Sequence, residues 1–202
     1  MVLGFHGTQK LTVDEVVNQR VAHLSPSRQA YDWLGHGVYF WENDPHRAEE
    51  WAIEKKFANP GVLGGVLYLG RCLDLNTRAG CDEVARAYRL LKANLTQNGE
   101  TMPQNSYGPD RLKRDLDCQV IMYLHRLRKD ADLDQYDSVR AAFPESSPLY
   151  EGAGFRQKNH IQVCIRHPEK CIRGYFKPIE NQLDGALEKA FRGLICQVVC
   201  LI

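Results

Sequence analysis

Three short stretches of the sequence carry side chains that can bind a flat, polar ligand. The first is His6-Gly7-Thr8, in which an imidazole that can bond a hydroxyl group stands beside a glycine that lets a ligand approach the backbone. Taken alone, one histidine is more typical of a structural hydrogen bond than of a binding site. The motif therefore indicates a site only together with other residues.

The second stretch is Gly35-His36-Gly37-Val38-Tyr39-Phe40, which places two glycines ahead of a short aromatic strand. Glycines permit an unusual backbone path, and Tyr39 can present its ring to a planar heterocycle. Alternation along a strand predicts Tyr39 and Trp41 on one face and Phe40 on the other. The competing interpretation is that these aromatic side chains are ordinary core residues.

The third stretch is Asn159-His160-Ile161-Gln162-Val163-Cys164. In a strand, His160, Gln162 and Cys164 share one face, and the alternate apolar residues share the other. The apolar face predicts core. The face with His160 and Gln162 is either solvated or lines a site, and the sequence favours neither alternative.

Length and composition are those of an ordinary globular protein, and we expect residues 1–202 to form one domain. The chain is 44% hydrophobic and 25% charged, with a formal net charge of +1. Net charge thus gives no global argument for binding to nucleic acid or a membrane. No apolar run is long enough to cross a bilayer, and the N-terminus lacks a signal-peptide pattern. We expect a cytoplasmic protein with no membrane partner.

Seven cysteines occur, at positions 72, 81, 118, 164, 171, 196 and 200. The number is odd and there is no C-x-x-C pair, which predicts free thiols in a reducing compartment. Metal sites built from cysteine need paired ligands at short spacing, so no metal site is expected.

Apolar periodicity predicts a mixture of short strands and helices. Thr12 and Glu15 form a capping box, and Asp44-Pro45 is a typical helix start. The strands predicted are 2–6, 38–41, 65–75, 138–143, a hairpin of 160–166 with 171–176, and 194–202; the helices are 13–20, 45–58, 82–95, 110–129 and 180–193, and 144–158 is a loop. Since the order lacks a regular strand–helix alternation, the fold class is α+β.

Taken together and in this order, the three stretches resemble the ADP-ribosyltransferase superfamily, in its diphtheria-toxin-like and poly(ADP-ribose) polymerase-like branch. The close matches cover residues 2–8, 35–52 and 160–176, and include Ala-x-x-x-Ala on the helix that follows the second stretch. The resemblance implies a split β-sandwich with flanking helices that grips NAD, which is the substrate. A helical insertion is expected at about 77–137, where no family motif can be placed.

The resemblance also implies roles for individual residues. His6 corresponds to the histidine that binds the adenosine ribose, Gly7 to the glycine whose backbone holds the nicotinamide carboxamide, and Tyr39 to the tyrosine that stacks on nicotinamide. Thr8 and Gly37 are expected to line the same pocket. The second stacking aromatic aligns by count with Glu50, and we expect Trp51, one step on, to supply that wall.

The third position of the family's His–Tyr–Glu triad carries a departure. Laying His167-Pro168 on the family's Asp-Pro turn puts Gln162 where the glutamate would be, with His160 as the other candidate. Glutamine can accept a hydrogen bond from a ribose hydroxyl, but it cannot act as a general base. Chain elongation is therefore not expected, whereas mono-ADP-ribosylation is; His160 can serve as a base.

The acceptor of the ADP-ribose is not evident in the sequence. Basic residues near the second long helix either hold a nucleic acid or are simply solvated: Arg111, Lys113, Arg114, His125, Arg126, Arg128 and Lys129. Resemblance to small bacterial toxins and phage-defence proteins implies a protein or nucleic-acid acceptor and an antitoxin partner. The alternatives are an NAD glycohydrolase, a non-catalytic NAD- or ADP-ribose-binding module, and a structural domain whose aromatics are core.

Overall fold

A computed structural model describes residues 1–106 and 112–179. The strands are β1 (Val2–Gln9), β2 (Val38–Glu42), β3 (Pro60–Leu67), β4 (Cys72–Asp74), β5 (Asn105–Ser106), β6 (Lys113–Arg114), β7 (Ser138–Pro148), β8 (Arg156–Ile165) and β9 (Ile172–Phe176). The helices are α1 (Lys10–Val17), α2 (Pro45–Glu54), α3 (Arg78–Gln97), α4 (Asp115–Asp130) and α5 (Pro168–Cys171). Mixed strands and helices confirm the α+β class.

Seven strands form one mixed sheet in the order β4-β7-β8-β2-β1-β3-β9. The pair β4–β7 is parallel and the other neighbours are antiparallel. A parallel pair needs a long crossover connection. Here the crossover runs from residue 75 to 137 and contains α3 and α4, which pack against each other.

The two faces of the sheet bury different sets of side chains. The Tyr39 face carries Phe5, Trp41, Gln162 and Ala141, which lie side by side on neighbouring strands. Helices α2, α3 and α4 cover this face through clusters that include Ala48, Leu91, Ile121 and Cys164.

The Phe40 face is the opposite side of the sheet, and helix α1 covers it. Its core includes Val13, Val16, Phe40, Leu63 and Val163. Apolar side chains are thus buried on both faces of the central strands, which is why β2 reads as a nearly continuous hydrophobic run.

Several sequence predictions about the first half need correction. The helix expected over 13–20 begins at Lys10 with Gln9 as its N-cap, because β1 runs directly into α1; Thr12 lies inside the helix and caps nothing. The strand expected over 65–75 is two strands, interrupted by Gly70 in a left-handed conformation, φ +59°. Asp44 does cap α2, and its side chain accepts a hydrogen bond from the Arg47 amide.

The second half differs in the extent and partners of its strands. The expected loop over 144–158 is partly strand, because β7 and β8 form a long hairpin that pairs as far as Pro148 and Arg156. The expected hairpin of 160–166 with 171–176 is wrong. His167-Pro168 starts α5, so the chain crosses to the far edge, where β9 pairs with β3.

Two further differences concern helix bounds and residues outside the description. The helix expected over 110–129 begins at Asp115. The helix expected over 180–193 and the strand over 194–202 lie outside the described residues. Five cysteines lie within the described residues, and all five are free thiols, as predicted: Cys72, Cys81, Cys118, Cys164 and Cys171.

Helix α2 lies directly on β1 at Gly7. A Cβ atom added to Gly7 would stand 2.0 Å from the carbonyl oxygen of Ala48, which belongs to the helix backbone and cannot rotate away. A glycine is therefore required for α2 to approach the sheet.

We expect Gly7→Ala to lower the free energy of unfolding by at least about 2 kcal/mol, because overpacking against backbone forces the helix off the strand. Gly174→Ala is the matched control: it lies in the same sheet, and a Cβ there meets no atom within 4 Å. Urea denaturation of both variants measures the difference, and equal stabilities would refute the close helix–strand contact.

Candidate functional site

The sheet opens between β1 and β2 at the residues that the sequence singled out. Within the described chain these strands pair at two positions, Gly4–Glu42 and Phe5–Trp41. Beyond them, residues 6–9 pair only with β3, and residues 38–40 pair only with β8. The backbones of His6-Gly7-Thr8 and of Tyr39 therefore face each other across an opening rather than across a ladder.

His6 lies at the start of this opening. Its Nδ1 donates a hydrogen bond to the Tyr39 carbonyl oxygen at 2.7 Å, in place of a ladder bond between the strands. Burial lowers the pKa of His6, so the ring is neutral at physiological pH and Nε2 keeps its lone pair. Nε2 is thus the atom that can accept a hydrogen bond from a ligand hydroxyl.

The side chains of His6 and Tyr39 lie on opposite faces of the sheet. The His6 ring lies 5.9 Å from the Phe40 ring, on the Phe40 face, whereas Tyr39 lies with Trp41 as alternation predicts. A ligand that contacts both must therefore pass through the opening between β1 and β2. The sequence motifs alone do not show this separation.

Gly7 and Thr8 continue along the β1 side of the opening. Both are buried, and Gly7 belongs to the Tyr39 face because it lies two residues after Phe5, which stands opposite Trp41. Helix α2 covers Gly7, which leaves its backbone amide and carbonyl as the groups available to a ligand. The packing of α2 is a reason for this glycine that does not depend on any ligand.

Tyr39 is held rigidly by its hydroxyl group. The hydroxyl donates to the Gly35 carbonyl at 2.6 Å and accepts from the Leu34 amide at 2.8 Å. Burial raises the pKa of this phenol well above its ordinary value, so it stays neutral. The ring is half-buried, and its orientation is fixed before any ligand binds.

Gly37 brings the start of β2 close to β8. A Cβ at this position would stand 2.5 Å from both the Cys164 sulfur and the Ile165 carbonyl oxygen. The glycine therefore serves the packing of β2 on β8, which in turn sets the position of Tyr39.

His160 and Gln162 lie together on the Tyr39 face of β8, and both are buried rather than solvated. Gln162 stands opposite Trp41 in the register of β2 and β8. Its amide nitrogen lies 3.1 Å from Nε2 of His160, whose Nδ1 lies 3.3 Å from the Lys158 carbonyl oxygen. The structure therefore brings the two candidates for the third position into one hydrogen-bonded pair.

The state of His160 decides which way the Gln162 amide points. Burial, reinforced by Arg47, lowers the pKa of His160 to about 4, so the ring is neutral. With Nδ1–H donated to the Lys158 carbonyl, Nε2 accepts from the Gln162 amide N–H. This leaves Oε1 of Gln162 as an acceptor for another group, and it leaves His160 a weak base.

The three tryptophans divide among different contacts. Trp51 packs against Trp41, with ring centres 5.7 Å apart, and Lys55 Nζ lies 4.4 Å from the centre of the Trp51 ring. Glu50 is the residue that aligns by count with the family's second stacking aromatic. Its side chain is exposed and pairs with Arg47, so it does not take that position. Trp33, by contrast, lies beside His160, with ring centres 6.5 Å apart.

Two charged residues of this region were missed by the sequence analysis. Arg47 and Glu145 form a buried ion pair, with Nη2 and Oε2 3.3 Å apart, between α2 and β7. Arg47 sits one residue before the Ala-x-x-x-Ala pattern, which gave no reason to single it out. Glu145 gave no signal because its segment reads as a Gly/Pro/Ser-rich loop.

The basic residues near α4 are mostly engaged within the protein. Arg128 pairs with Glu83, and the Arg114 guanidinium lies 4.1 Å from the Trp33 ring centre. His125 is 4% exposed, and burial lowers its pKa to about 3, so it carries no charge for a phosphate. Arg111 lies outside the described residues. The expected basic surface is therefore smaller than the sequence indicates.

A cavity of about 290 Å³ lies elsewhere, on the Phe40 face between α1 and β9. Its walls include Val16, Gln19, His23, Arg173 and Tyr175. Among the described residues, no group of three or more histidine, cysteine, aspartate or glutamate side chains gathers as metal ligands. None of the described helices has the length and hydrophobicity to cross a bilayer.

Comparison with known proteins gives one relative of similar length. The uncharacterized protein MJ0359 of Methanocaldococcus jannaschii is 23% identical over 203 aligned residues, which cover 91% of this chain and 90% of the relative. No protein-family model matches the chain. No solved structure matches it.

We expect Tyr39→Phe to lower the free energy of unfolding by about 1–2 kcal/mol, because the Leu34 amide and the Gly35 carbonyl both lose a buried partner. Tyr88→Phe, an exposed tyrosine on α3, is the matched control and should change stability by less than about 0.5 kcal/mol. Chemical denaturation measures both. Equal effects of the two substitutions would contradict the hydroxyl's clamping role.

Proposed function

We propose that the protein is a mono-ADP-ribosyltransferase that cleaves the nicotinamide–ribose bond of NAD and transfers ADP-ribose to a macromolecular acceptor. The observation that carries the proposal is the opening between β1 and β2, at which His6, Gly7 and Tyr39 meet. The sequence resemblance assigns NAD contacts to these same residues. The proposed finer fold is the split β-sandwich of that superfamily, with the split at this opening.

The proposed pocket uses backbone groups and one rigid ring. The free main-chain groups of Gly7 bond the nicotinamide carboxamide, and Tyr39 stacks on the nicotinamide ring. Nε2 of His6 accepts from an adenosine ribose hydroxyl on the far side of the opening. Thr8 and Gly37 shape the two strand ends, and Trp51 closes the α2 side through its contact with Trp41.

Bond cleavage passes through an oxocarbenium-like state on the nicotinamide ribose. The leaving nicotinamide is already cationic, so it needs no proton from a general acid. Oε1 of Gln162 accepts from the ribose 2′-hydroxyl, and His160 keeps the amide in that orientation. Orientation and a pre-set pocket therefore supply most of the acceleration.

The absence of a glutamate at position 162 bears on the choice between activities. A glutamine cannot take a proton from an elongating ADP-ribose chain, which favours a single transfer. The second candidate function is NAD glycohydrolysis, with water as acceptor, and the same glutamine supports it equally. A third is NAD or ADP-ribose binding without turnover.

The cellular role that we propose is that of an intracellular effector of the toxin or phage-defence kind, with a protein or nucleic-acid target and an antitoxin partner. This rests on the sequence resemblance.

Adenylate-labelled NAD, incubated with the protein and cell extract, separates the candidate functions. Label on a macromolecule that yields to protease indicates a protein acceptor, and label that yields to ribonuclease or deoxyribonuclease indicates nucleic acid. Free ADP-ribose alone indicates a glycohydrolase. Saturable binding without nicotinamide release indicates a binding module, and no binding at all refutes the proposal.

We expect His6→Ala and Tyr39→Ala each to reduce turnover at least about a hundredfold, which corresponds to about 2.7 kcal/mol of transition-state binding. His167→Ala is the control, since this partly exposed ring lies 3.6 Å from the Glu169 carboxylate and is given no role in the proposed pocket. Nicotinamide release measures the rates, and circular dichroism checks folding. Folded variants that retain full activity would show that the pocket is wrongly placed.

A further inference from the structure

We propose that Asp32 is the positioning residue that holds the Tyr39 ring in place for NAD. It acts through the loop formed by residues 27–37, which leads directly into β2. The inference rests on the proposed function for its consequence for NAD, whereas the contacts that carry it are those of the protein itself. Neither the sequence motifs nor the resemblance singled out Asp32.

The 27–37 loop is closed at its two ends by backbone hydrogen bonds. The Ser27 amide donates to the Gly37 carbonyl at 2.8 Å, and the Gly37 amide donates to the Ser27 carbonyl at 3.1 Å. Between these ends the chain reverses direction at Gly35, which has a left-handed conformation with φ +78°. The interior of the loop has no strand ladder, so side-chain contacts must fix its shape.

The Asp32 carboxylate provides these interior contacts. Oδ1 accepts from the Ser27 hydroxyl at 2.7 Å, and Oδ2 accepts from the Gln29 amide at 2.9 Å. The Asp32 backbone adds two bonds at 3.3 Å, since its amide donates to the Gln29 carbonyl and its carbonyl accepts from the Gly35 amide. Asp32 therefore connects the start of the loop with the turn at Gly35.

The turn that Asp32 fixes is also the turn that holds Tyr39. The Leu34 amide donates to the Tyr39 hydroxyl, and the Gly35 carbonyl accepts from it. Leu34 is 1% exposed, so water cannot readily replace the hydroxyl at its amide. A displacement of this turn would therefore displace the tyrosine ring as well.

Stability alone does not account for a carboxylate at position 32. Asp32 is 9% exposed, and no described lysine, arginine or histidine forms an ion pair with it. Burial raises the pKa of Asp32, although the bonds from Ser27 and Gln29 oppose the rise. A buried charge without an ion pair costs free energy. What the carboxylate offers is two oxygen acceptors, whereas asparagine offers one.

Other contacts hold the outside of the loop against the region around α4. Nε1 of Trp33 donates to the Leu112 carbonyl at 2.8 Å, and Sγ of Cys118 lies 3.6 Å from the Gln29 carbonyl oxygen. These contacts do not involve the Asp32 side chain. A substitution of Asp32 is therefore expected to loosen the interior of the loop while the loop stays attached to the protein.

Amide hydrogen exchange of Asp32→Asn tests the proposal without any ligand. The Leu34 amide is the reporter, because it donates to the Tyr39 hydroxyl. We expect its protection factor to fall at least about tenfold, whereas amides of the β1–β3 ladder should change by less than about twofold. A general loss of stability would instead lower the protection of all these amides together.

Asp74→Asn is the matched control. The Asp74 carboxylate also accepts two hydrogen bonds, from the Asn76 amide and from Arg140, but it lies on the edge strand β4, which β7 and β8 separate from β2. We expect this variant to leave the protection of the Leu34 amide within about twofold of the parent protein.

The same variants test the consequence for NAD. We expect Asp32→Asn to raise KM for NAD at least about fivefold, because the ring that stacks on nicotinamide is less well fixed. In a Tyr39→Phe background the same substitution should leave KM within about twofold, since the hydroxyl through which Asp32 acts is already absent. A full effect of Asp32→Asn in that background would overturn the role of Asp32.

Ser27→Ala covers the case in which Asp32→Asn does not fold, because it removes one donor and keeps the carboxylate. Here we expect the Leu34 amide to lose protection at least about threefold. Unchanged protection of that amide in either folded variant, or an equal loss at every amide, contradicts the proposal. If the parent protein neither binds NAD nor releases nicotinamide, the proposed function fails, whereas hydrogen exchange still decides whether Asp32 positions Tyr39.

Discussion

Two ladder rungs between β1 and β2 are the contact on which the arrangement of the site depends. Gly4–Glu42 and Phe5–Trp41 hold the halves of the sheet together at one end of these strands. At the next residue the ladder stops, and a histidine side chain bonds the carbonyl that a strand neighbour would otherwise take. The strands can then diverge while each stays fully paired on its outer side, so an opening forms within a stable sheet.

The residues around the opening are fixed by packing that has its own physical reasons. Gly7 admits α2, Gly37 admits β8, and the Tyr39 hydroxyl clamps the turn before β2. The residues around the opening are therefore held in place before any ligand arrives, and a pre-set site lowers the entropy that binding must overcome. The same features show why packing and binding interpretations of these residues are compatible.

Local sequence patterns predicted the features that depend on residues only a few positions apart. Asp44-Pro45 identified the start of α2, and alternation assigned Tyr39 and Trp41 to one face. Prediction failed where partners are remote in sequence. The pairing of β9 with β3, and the extension of β7 and β8 through an apparent loop, depend on long-range ladders that no local pattern encodes.

In the candidate site, too, local patterns identified individual residues, whereas contacts between residues remote in sequence were not predicted. His6, Tyr39, His160 and Gln162 were selected by type and spacing, but the sequence does not show that His6 and Tyr39 lie on opposite faces. Arg47 and Glu145 were missed because each acquires meaning only from the other, 98 residues away. A buried ion pair between residues so far apart cannot be identified from the sequence, because only the fold brings its two members together.

A crystal structure of the protein with a non-hydrolysable NAD analogue would show whether NAD occupies the opening between β1 and β2, as we propose. We expect the nicotinamide ring against Tyr39, its carboxamide on the Gly7 backbone, and the adenosine ribose at Nε2 of His6. Density for the analogue in the cavity between α1 and β9, with the opening unchanged, would contradict it.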